Sequence, residues 1–179
     1  NIYFLNGQIF FGLNNRTTLY SGILSSISIQ KYEHLTLGIN QSLDRLGGLS
    51  FDVTNLQHQL NDEKKYSGNR YRVGYLNHLD MTKTDIIFNA QIFSDQNYIN
   101  MHQYLQERTK NSDKEKRIYS ASVRQYLEFL SLSMALTASR TQYWQKDEQQ
   151  RYSLSLNKNF ILGKIKNIST TLNFNHTEE

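Results

Sequence analysis

Hydrophobic and polar residues alternate with a period of two along most of the chain. The clearest segment has Leu35, Leu37 and Ile39 separated by Thr36 and Gly38. Because successive side chains of a β-strand point to opposite faces, this pattern predicts a strand with one apolar and one polar face. We therefore expect strands to be the main elements of the fold.

The alternation recurs to the end of the chain and predicts about ten antiparallel strands. Each has roughly ten residues, the length that a tilted strand needs to cross a bilayer. The sequence therefore predicts an all-β fold, a segment of a transmembrane β-barrel. Apolar residues near the middle of their strands are predicted to face lipid: Leu37, Phe51, Val73, Phe88, Leu136 and Leu154.

The polar positions of the strands indicate a water-filled lumen. They hold Ser, Thr, Asn, Gln and Gly with a few Arg, whereas the outer surface of a soluble β-sandwich tends to carry Lys and Glu. Small polar side chains are typical of the interior of a wide barrel. The residues predicted to face the lumen are Asp52, Arg70, Arg72, Asn89, Gln91, Arg124 and Arg151.

The four arginines of that set have two interpretations. They could form a polar, non-adhesive lining of the lumen. They could instead pair with Asp52, or with other acids of the lumen, across neighbouring strands. We favour the pairing interpretation.

Short and long connections alternate between the predicted strands. Short turns are predicted at 12–16, 44–47, 80–83, 128–130 and 162–166, and longer connections at 25–32, 57–67, 95–116 and 142–149. Outer-membrane barrels have short periplasmic turns and longer extracellular loops. We therefore expect 57–67 and 95–116 to be extracellular, and 44–47 and 80–83 to be periplasmic.

The connection 95–116 is the longest and is rich in polar and charged residues. Such a segment has little apolar surface to bury, so we expect it to be mobile and sensitive to proteases. In the alternative interpretation four of its large hydrophobic residues form a short helix that folds inward and narrows the pore. These residues are Tyr98, Met101, Tyr104 and Leu105.

Composition agrees with a wall one layer thick. Only 38% of the residues are hydrophobic, and they are spread evenly along the chain. Proline, which cannot donate a hydrogen bond within a sheet, is absent, and so is cysteine, which excludes a disulfide scaffold. The net charge of +4 comes from basic residues that alternate with acidic ones, a pattern of solvated loops more than of a nucleic-acid groove.

No motif for catalysis, a metal or a cofactor is present. The five histidines, at positions 34, 58, 78, 102 and 176, lack the HExxH spacing of a zinc site. No GxSxG nucleophile motif occurs. The sequence therefore predicts a protein that is not an enzyme.

Five segments carry a family resemblance: GLNNRTTLYSG at 12–22, LGGLSFDVT at 46–54, GNRYR at 68–72, FSDQNY at 93–98 and QYW at 142–144. They resemble motifs in the barrel of fimbrial ushers, the outer-membrane assembly platforms of chaperone/usher pili. The matches follow the family's order and span nearly the whole chain, so together they are far more specific than any one of them.

The resemblance implies that residues 1–179 are a middle segment of a larger barrel in the bacterial outer membrane, following a plug domain and containing no separate second domain. It implies a pore that translocates and assembles pilus subunits, driven by strand exchange between subunits without nucleotide hydrolysis. The implied partners are chaperone/subunit complexes, outer-membrane lipid and the protein's own plug. A passive porin or transporter barrel and a soluble β-sandwich adhesion module remain as alternatives.

Overall fold

A computed structural model describes residues 3–27, 31–59, 65–106, 114–162 and 165–178. Ten strands and one short helix account for most of them. The elements are β1 Tyr3–Gly12, β2 Thr17–Ile27, β3 Tyr32–Ser42, β4 Gly48–Gln59, β5 Lys65–Leu79, β6 Thr84–Phe93, α1 Met101–Gln106, β7 Glu115–Leu127, β8 Leu132–Tyr143, β9 Gln149–Leu162 and β10 Ile165–Glu178.

The ten strands form one antiparallel sheet in which each strand pairs with its neighbours in sequence, in the order β1 to β10. The predictions of an all-β fold and of about ten strands are confirmed. Direct pairs such as Phe51 with Val73, and Asp52 with Arg72, place like residues on the same side of the sheet. We call the side of Phe51 the apolar face and the side of Asp52 the polar face.

All six residues predicted to face lipid lie on the apolar face, as the strand register requires. Leu37 and Leu136 expose 58% and 53% of their surface, and Phe51, Val73 and Phe88 are also exposed. Leu154, which pairs with Leu136, is half-buried. A water-soluble protein rarely leaves so broad an apolar surface uncovered. The sheet therefore has the surface expected of a wall in contact with hydrocarbon.

Four of the five predicted short turns lie close to where the sequence places them. The fifth, 162–166, falls partly outside the described residues, and Leu162 and Ile165 already belong to β9 and β10. A 3₁₀ turn at Asp44–Leu46 joins β3 to β4, and Gly47 follows it with φ of +91°. A Cβ atom at Gly47 would lie 2.2 Å from the carbonyl oxygen of Leu76, so both the backbone angle and the space require glycine there. Exposed ion pairs join neighbouring turns: Arg16 with Asp44, and Lys83 with Glu128.

The predicted loop 57–67 is partly wrong, because the strands on either side of it are longer than expected. Gln57 pairs with Ser67 and His58 with Tyr66, so β4 and β5 continue beyond the predicted ends of the loop. Only 60–64 separates these strands, and it lies outside the described residues. The predicted connection 25–32 likewise shortens, because β2 extends to Ile27.

The connection after β6 folds onto the polar face. Helix α1 forms within it, and Tyr98, Ile99 and Tyr104 are buried. The expectation of a mobile segment is therefore wrong for this part. The alternative is confirmed in that a short helix forms and the connection folds onto the sheet, although Tyr98 precedes the helix. Narrowing of the pore stays a prediction. Residues 107–113 lie outside the described residues, and Lys116 and Arg117 already belong to β7. Within the described ranges, no helix has the length and apolar character needed to span a membrane.

Candidate functional site

Asp52 is the centre of a charged cluster on the polar face. It lies in the middle of β4, its side chain is fully buried, and the strand register places it between Gly38 of β3 and Arg72 of β5. A buried carboxylate is costly unless it is paired and hydrogen-bonded. The surroundings of Asp52 satisfy this requirement with three donors from two different strands.

The donors to Asp52 are two arginines and a tyrosine. Arg72 donates from Nε to Oδ2 over 2.6 Å, and the Tyr20 hydroxyl donates to the same oxygen over 2.7 Å. The Nη2 atom of Arg70 lies 3.4 Å from Oδ1. Arg72 also donates from Nη2 to the Tyr20 oxygen over 3.3 Å. These contacts confirm that Arg70 and Arg72 pair with Asp52.

Two guanidinium groups share one carboxylate, so the cluster keeps a net positive charge. The Arg72 side chain is 38% exposed and that of Arg70 is 21% exposed, while that of Asp52 is inaccessible. Arg70 further donates to the Thr54 hydroxyl over 3.0 Å. The arrangement presents positive charge to water on the polar face and hides the negative charge beneath it.

The other residues predicted to face the lumen also lie on the polar face, but they are not all part of the cluster. Gln91 pairs directly with Arg72, and Asn89 pairs with Gly74 one step further along β5. Arg124 and Arg151 lie on β7 and β9, and no carboxylate of the described residues is within ion-pairing distance of either. For these two arginines the favoured pairing with an acid is not observed.

Tyr20 is a member of the charged cluster that the sequence pattern did not single out. Its ring lies directly over Gly38, where a Cβ atom would come within 2.3 Å of the ring carbon Cζ. The absence of a side chain at Gly38 therefore allows Tyr20 to reach Asp52 across β3. A glycine in the interior of a strand is a signal of such a close approach.

Gly38→Ala is expected to displace Tyr20 and remove its hydrogen bond to Asp52. Loss of a hydrogen bond to a charged group costs about 1.5 to 3 kcal/mol, which a urea unfolding titration of the full-length protein in lipid vesicles would measure. Gly12→Ala is the matched control, since nothing lies within 4 Å of a Cβ atom there. Equal unfolding midpoints for the two variants would contradict the role of Gly38.

An aromatic cluster lies on the same face, next to the charged residues. Its buried members come from β3, β4, β6 and the connection containing α1: Tyr32, Leu56, Phe93, Tyr98, Ile99 and Tyr104. The rings of Tyr32 and Tyr104 are 4.9 Å apart, and those of Phe93 and Tyr98 are 5.0 Å apart. The cluster fixes the connection across the polar face of β3 to β5.

Hydrogen bonds hold the same connection in place. The Nε2 atom of His34 lies 3.2 Å from the Tyr98 hydroxyl, and that of His58 lies 2.9 Å from the carbonyl oxygen of Asn97. Burial raises the pKa of Tyr98, so this hydroxyl stays protonated. A Cβ atom at Gly68 would lie 2.9 Å from the Tyr98 backbone nitrogen, so the connection packs tightly against β5.

The histidine side chains that the structure describes contact other residues of the chain. Among the described residues, no three His, Asp or Glu side chains are grouped closely enough to hold a metal ion. His34 and His58 instead contact the connection after β6, and His78 pairs with Asp85 over 2.6 Å. The polar face therefore offers positive charge, hydroxyl and amide groups, with one apolar cluster where the connection folds over it.

Comparison with known proteins places this sheet in a family. The family model described as outer membrane usher protein matches residues 1–179. The chain is 35% identical over 174 residues to the outer membrane usher protein YqiG of Escherichia coli strain K12, covering 96% of this chain and 21% of that protein. The chain thus spans about a fifth of the length of this relative.

Solved structures agree with the sequence match. The structure of the P pilus usher (PapC) translocation pore superposes with a TM-score of 0.71 at 25% identity, covering 98% of this chain and 35% of that one. A P pilus tip assembly intermediate of E. coli, which contains PapC, PapD, PapK and PapG, gives a TM-score of 0.72 at 26% identity, covering 98% and 22%. The chain therefore belongs to the outer membrane usher protein family and forms ten strands of its transmembrane barrel.

Proposed function

We propose that this chain is part of the wall of a pore through which pilus subunits are translocated and assembled. The polar face lines the lumen, and the apolar face contacts outer-membrane lipid. The single observation that carries the proposal is the separation of the two faces. Exposed leucine, valine and phenylalanine predominate on one side of the sheet, whereas Ser, Thr, Asn and Arg predominate on the other.

A folded protein passing through a pore needs a wall to which it does not adhere. Away from the aromatic cluster, the polar face of β7 to β9 carries small hydroxyl side chains such as Ser122, Thr137 and Ser153, with Arg151 beside them. These groups remain hydrated and offer a passing protein little apolar surface to bind. The proposed partners are chaperone/subunit complexes and a plug domain, and the assembly intermediate with PapD, PapK and PapG supports the first.

The proposed activity is transport and assembly without catalysis. The charged cluster is held together by its own hydrogen bonds, and Asp52 is inaccessible to a substrate. A passive porin barrel remains the second candidate, favoured by the same hydrated wall. The whole of residues 1–179 acts as one unit of that wall in either case.

Photo-crosslinking from the two faces distinguishes these functions. We expect benzoylphenylalanine at Ser155, on the polar face of β9, to crosslink to a pilus subunit in cells that also express the cognate chaperone and subunits. The neighbouring Leu154 lies on the apolar face, so benzoylphenylalanine there should give only background. Crosslinked products would be identified by mass spectrometry of the full-length protein.

The control is the same pair of variants without the subunit. A porin would give no subunit adduct from Ser155 although it inserts and conducts ions. Subunit adducts from Leu154 equal to those from Ser155 would contradict the assignment of the two faces.

The sidedness of the sheet can be tested by cysteine labelling. We expect Asp147→Cys, in the long connection after β8, to react with a membrane-impermeant maleimide on intact cells. Met81→Cys, at the fully exposed tip of a short turn, should react only after the outer membrane is opened. The full-length protein without either substitution is the control. Labelling of Met81→Cys alone on intact cells would reverse the topology.

A further inference from the structure

Two arginines interrupt the apolar face at the end of the sheet where the long connections lie. Arg117 and Arg140 are both exposed, although the face is apolar further along their strands. Arg117 pairs with Ile92 of β6 and Gln142 of β8, and Arg140 pairs with Tyr119 of β7. The arginines are thus diagonal neighbours on adjacent strands, a separation of about 7–8 Å that long side chains can bridge.

The position of these arginines along their strands determines the free-energy cost of exposing them to lipid. An arginine on the lipid-facing side costs about 2–4 kcal/mol at the bilayer midplane but only about 0–1 near the interface. Arg117 is near the start of β7 and Arg140 near the end of β8, so both lie at the same rim. Below them the face continues with Ala121, Ala138 and Leu136. Guanidinium groups at the headgroup level therefore lie directly above an apolar surface.

A carboxylate of the chain itself, that of Glu148, is already bound at this place. Arg140 donates from Nε and Nη2 to Oε2 of Glu148 over 3.0 and 2.6 Å, and Gln142 and Gln150 also donate to that carboxylate. These bonds lower the pKa of Glu148. Arg140 still exposes 52% of its side chain, and no carboxylate of the described residues pairs with Arg117. Unused guanidinium donors therefore face the headgroup layer.

We propose that Arg117 and Arg140 bind the phosphate group of an outer-membrane lipid whose acyl chain lies against Ala121, Ala138 and Leu136. Guanidinium forks match phosphate oxygens in a bidentate manner. The ligand is a lipid and not a free phosphate, because the arginines stand at the margin of an apolar wall. The inference requires the sheet to be a membrane wall but does not depend on which cargo crosses the pore.

Lipid A, which carries two phosphate groups, is the probe for this site. Native mass spectrometry of the full-length protein in detergent, titrated with lipid A, should show one tightly bound lipid that is lost in the double variant Arg117→Gln, Arg140→Gln. Each arginine removed should weaken apparent affinity about fivefold, since a basic residue near an anionic membrane surface contributes about that factor. Glu148→Gln should strengthen binding by removing the competing carboxylate.

Lys158→Gln is the matched control, because Lys158 is exposed and pairs with Leu132 at the opposite end of the sheet. It should leave the bound lipid unchanged. Equal loss in the control and the double variant, or no loss in either, would overturn the proposal. Displacement of lipid A by an equal concentration of inorganic phosphate would show that the site selects phosphate alone, which also overturns it. Failure of subunit crosslinking would leave these outcomes intact.

Discussion

Asp52→Leu is expected to destabilise the barrel more than any other removal of one charge in this chain. The substitution leaves Arg70 and Arg72 close together without the carboxylate that both contact. Breaking a fully buried ion pair costs about 3–5 kcal/mol. Because both guanidiniums reach water, we expect about 2–4 kcal/mol here.

A urea titration of the full-length protein in lipid vesicles would measure this loss as a lower midpoint at an unchanged slope. Asp44→Asn is the control: its ion pair with Arg16 is exposed on both sides and should contribute about 0–1 kcal/mol. The double variant Asp52→Leu, Arg72→Leu should recover part of the loss. A midpoint for Asp52→Leu no lower than for Asp44→Asn would show that Asp52 does not neutralise these arginines.

Arginine substitutions on the two faces of one strand should have opposite outcomes. Leu136→Arg puts a charge on the apolar face near the middle of β8, which costs about 2–4 kcal/mol at the bilayer midplane. Thr137→Arg puts the same charge on the polar face, between Ser122 and Ser153, where water solvates it. The measurements are the urea midpoint and the amount of folded protein in the outer membrane.

Thr137 lies away from the arginines of the charged cluster, whereas Thr36 lies next to them. Thr36 and Asn89 are equally polar, but the Thr36 hydroxyl lies 2.9 Å from that of Thr54, which in turn contacts Arg70. A further arginine at Thr36 would meet like charge. Equal losses of stability for Leu136→Arg and Thr137→Arg would mean that both faces of the sheet contact the same solvent.

The strands could be predicted from the sequence because their hydrophobic and polar side chains alternate with a period of two. Once Leu37 or Phe51 is assigned to one face, the alternation of side chains determines the face of every other residue in the same strand. The lengths of β4 and β5 were harder to predict. Polar residues such as Gln57 and Ser67 suit a loop as well as a paired strand end, and only the pairing observed between them distinguishes the two.

The candidate site was predictable only in part. Asp52, Arg70 and Arg72 could be recognised as charges on one parity of adjacent strands. Tyr20 could not, because it reaches Asp52 across β3, over a glycine. The connection with Tyr98 was expected to be mobile on the basis of its composition, since a count of polar residues does not show that a few aromatic side chains find a complementary surface.

The surface of β3 to β5 that contacts the connection after β6 has a consequence for the order of folding. Every strand pairs with its neighbour in sequence. The sheet can therefore grow one hairpin at a time, and each step has a small entropic cost of loop closure. The contact between the Tyr32 hydroxyl and the carbonyl of Ile99 instead joins residues 67 positions apart. It requires β3, β4 and β5 to be aligned beforehand. We therefore expect Tyr98 and Ile99 to dock after these strands have paired.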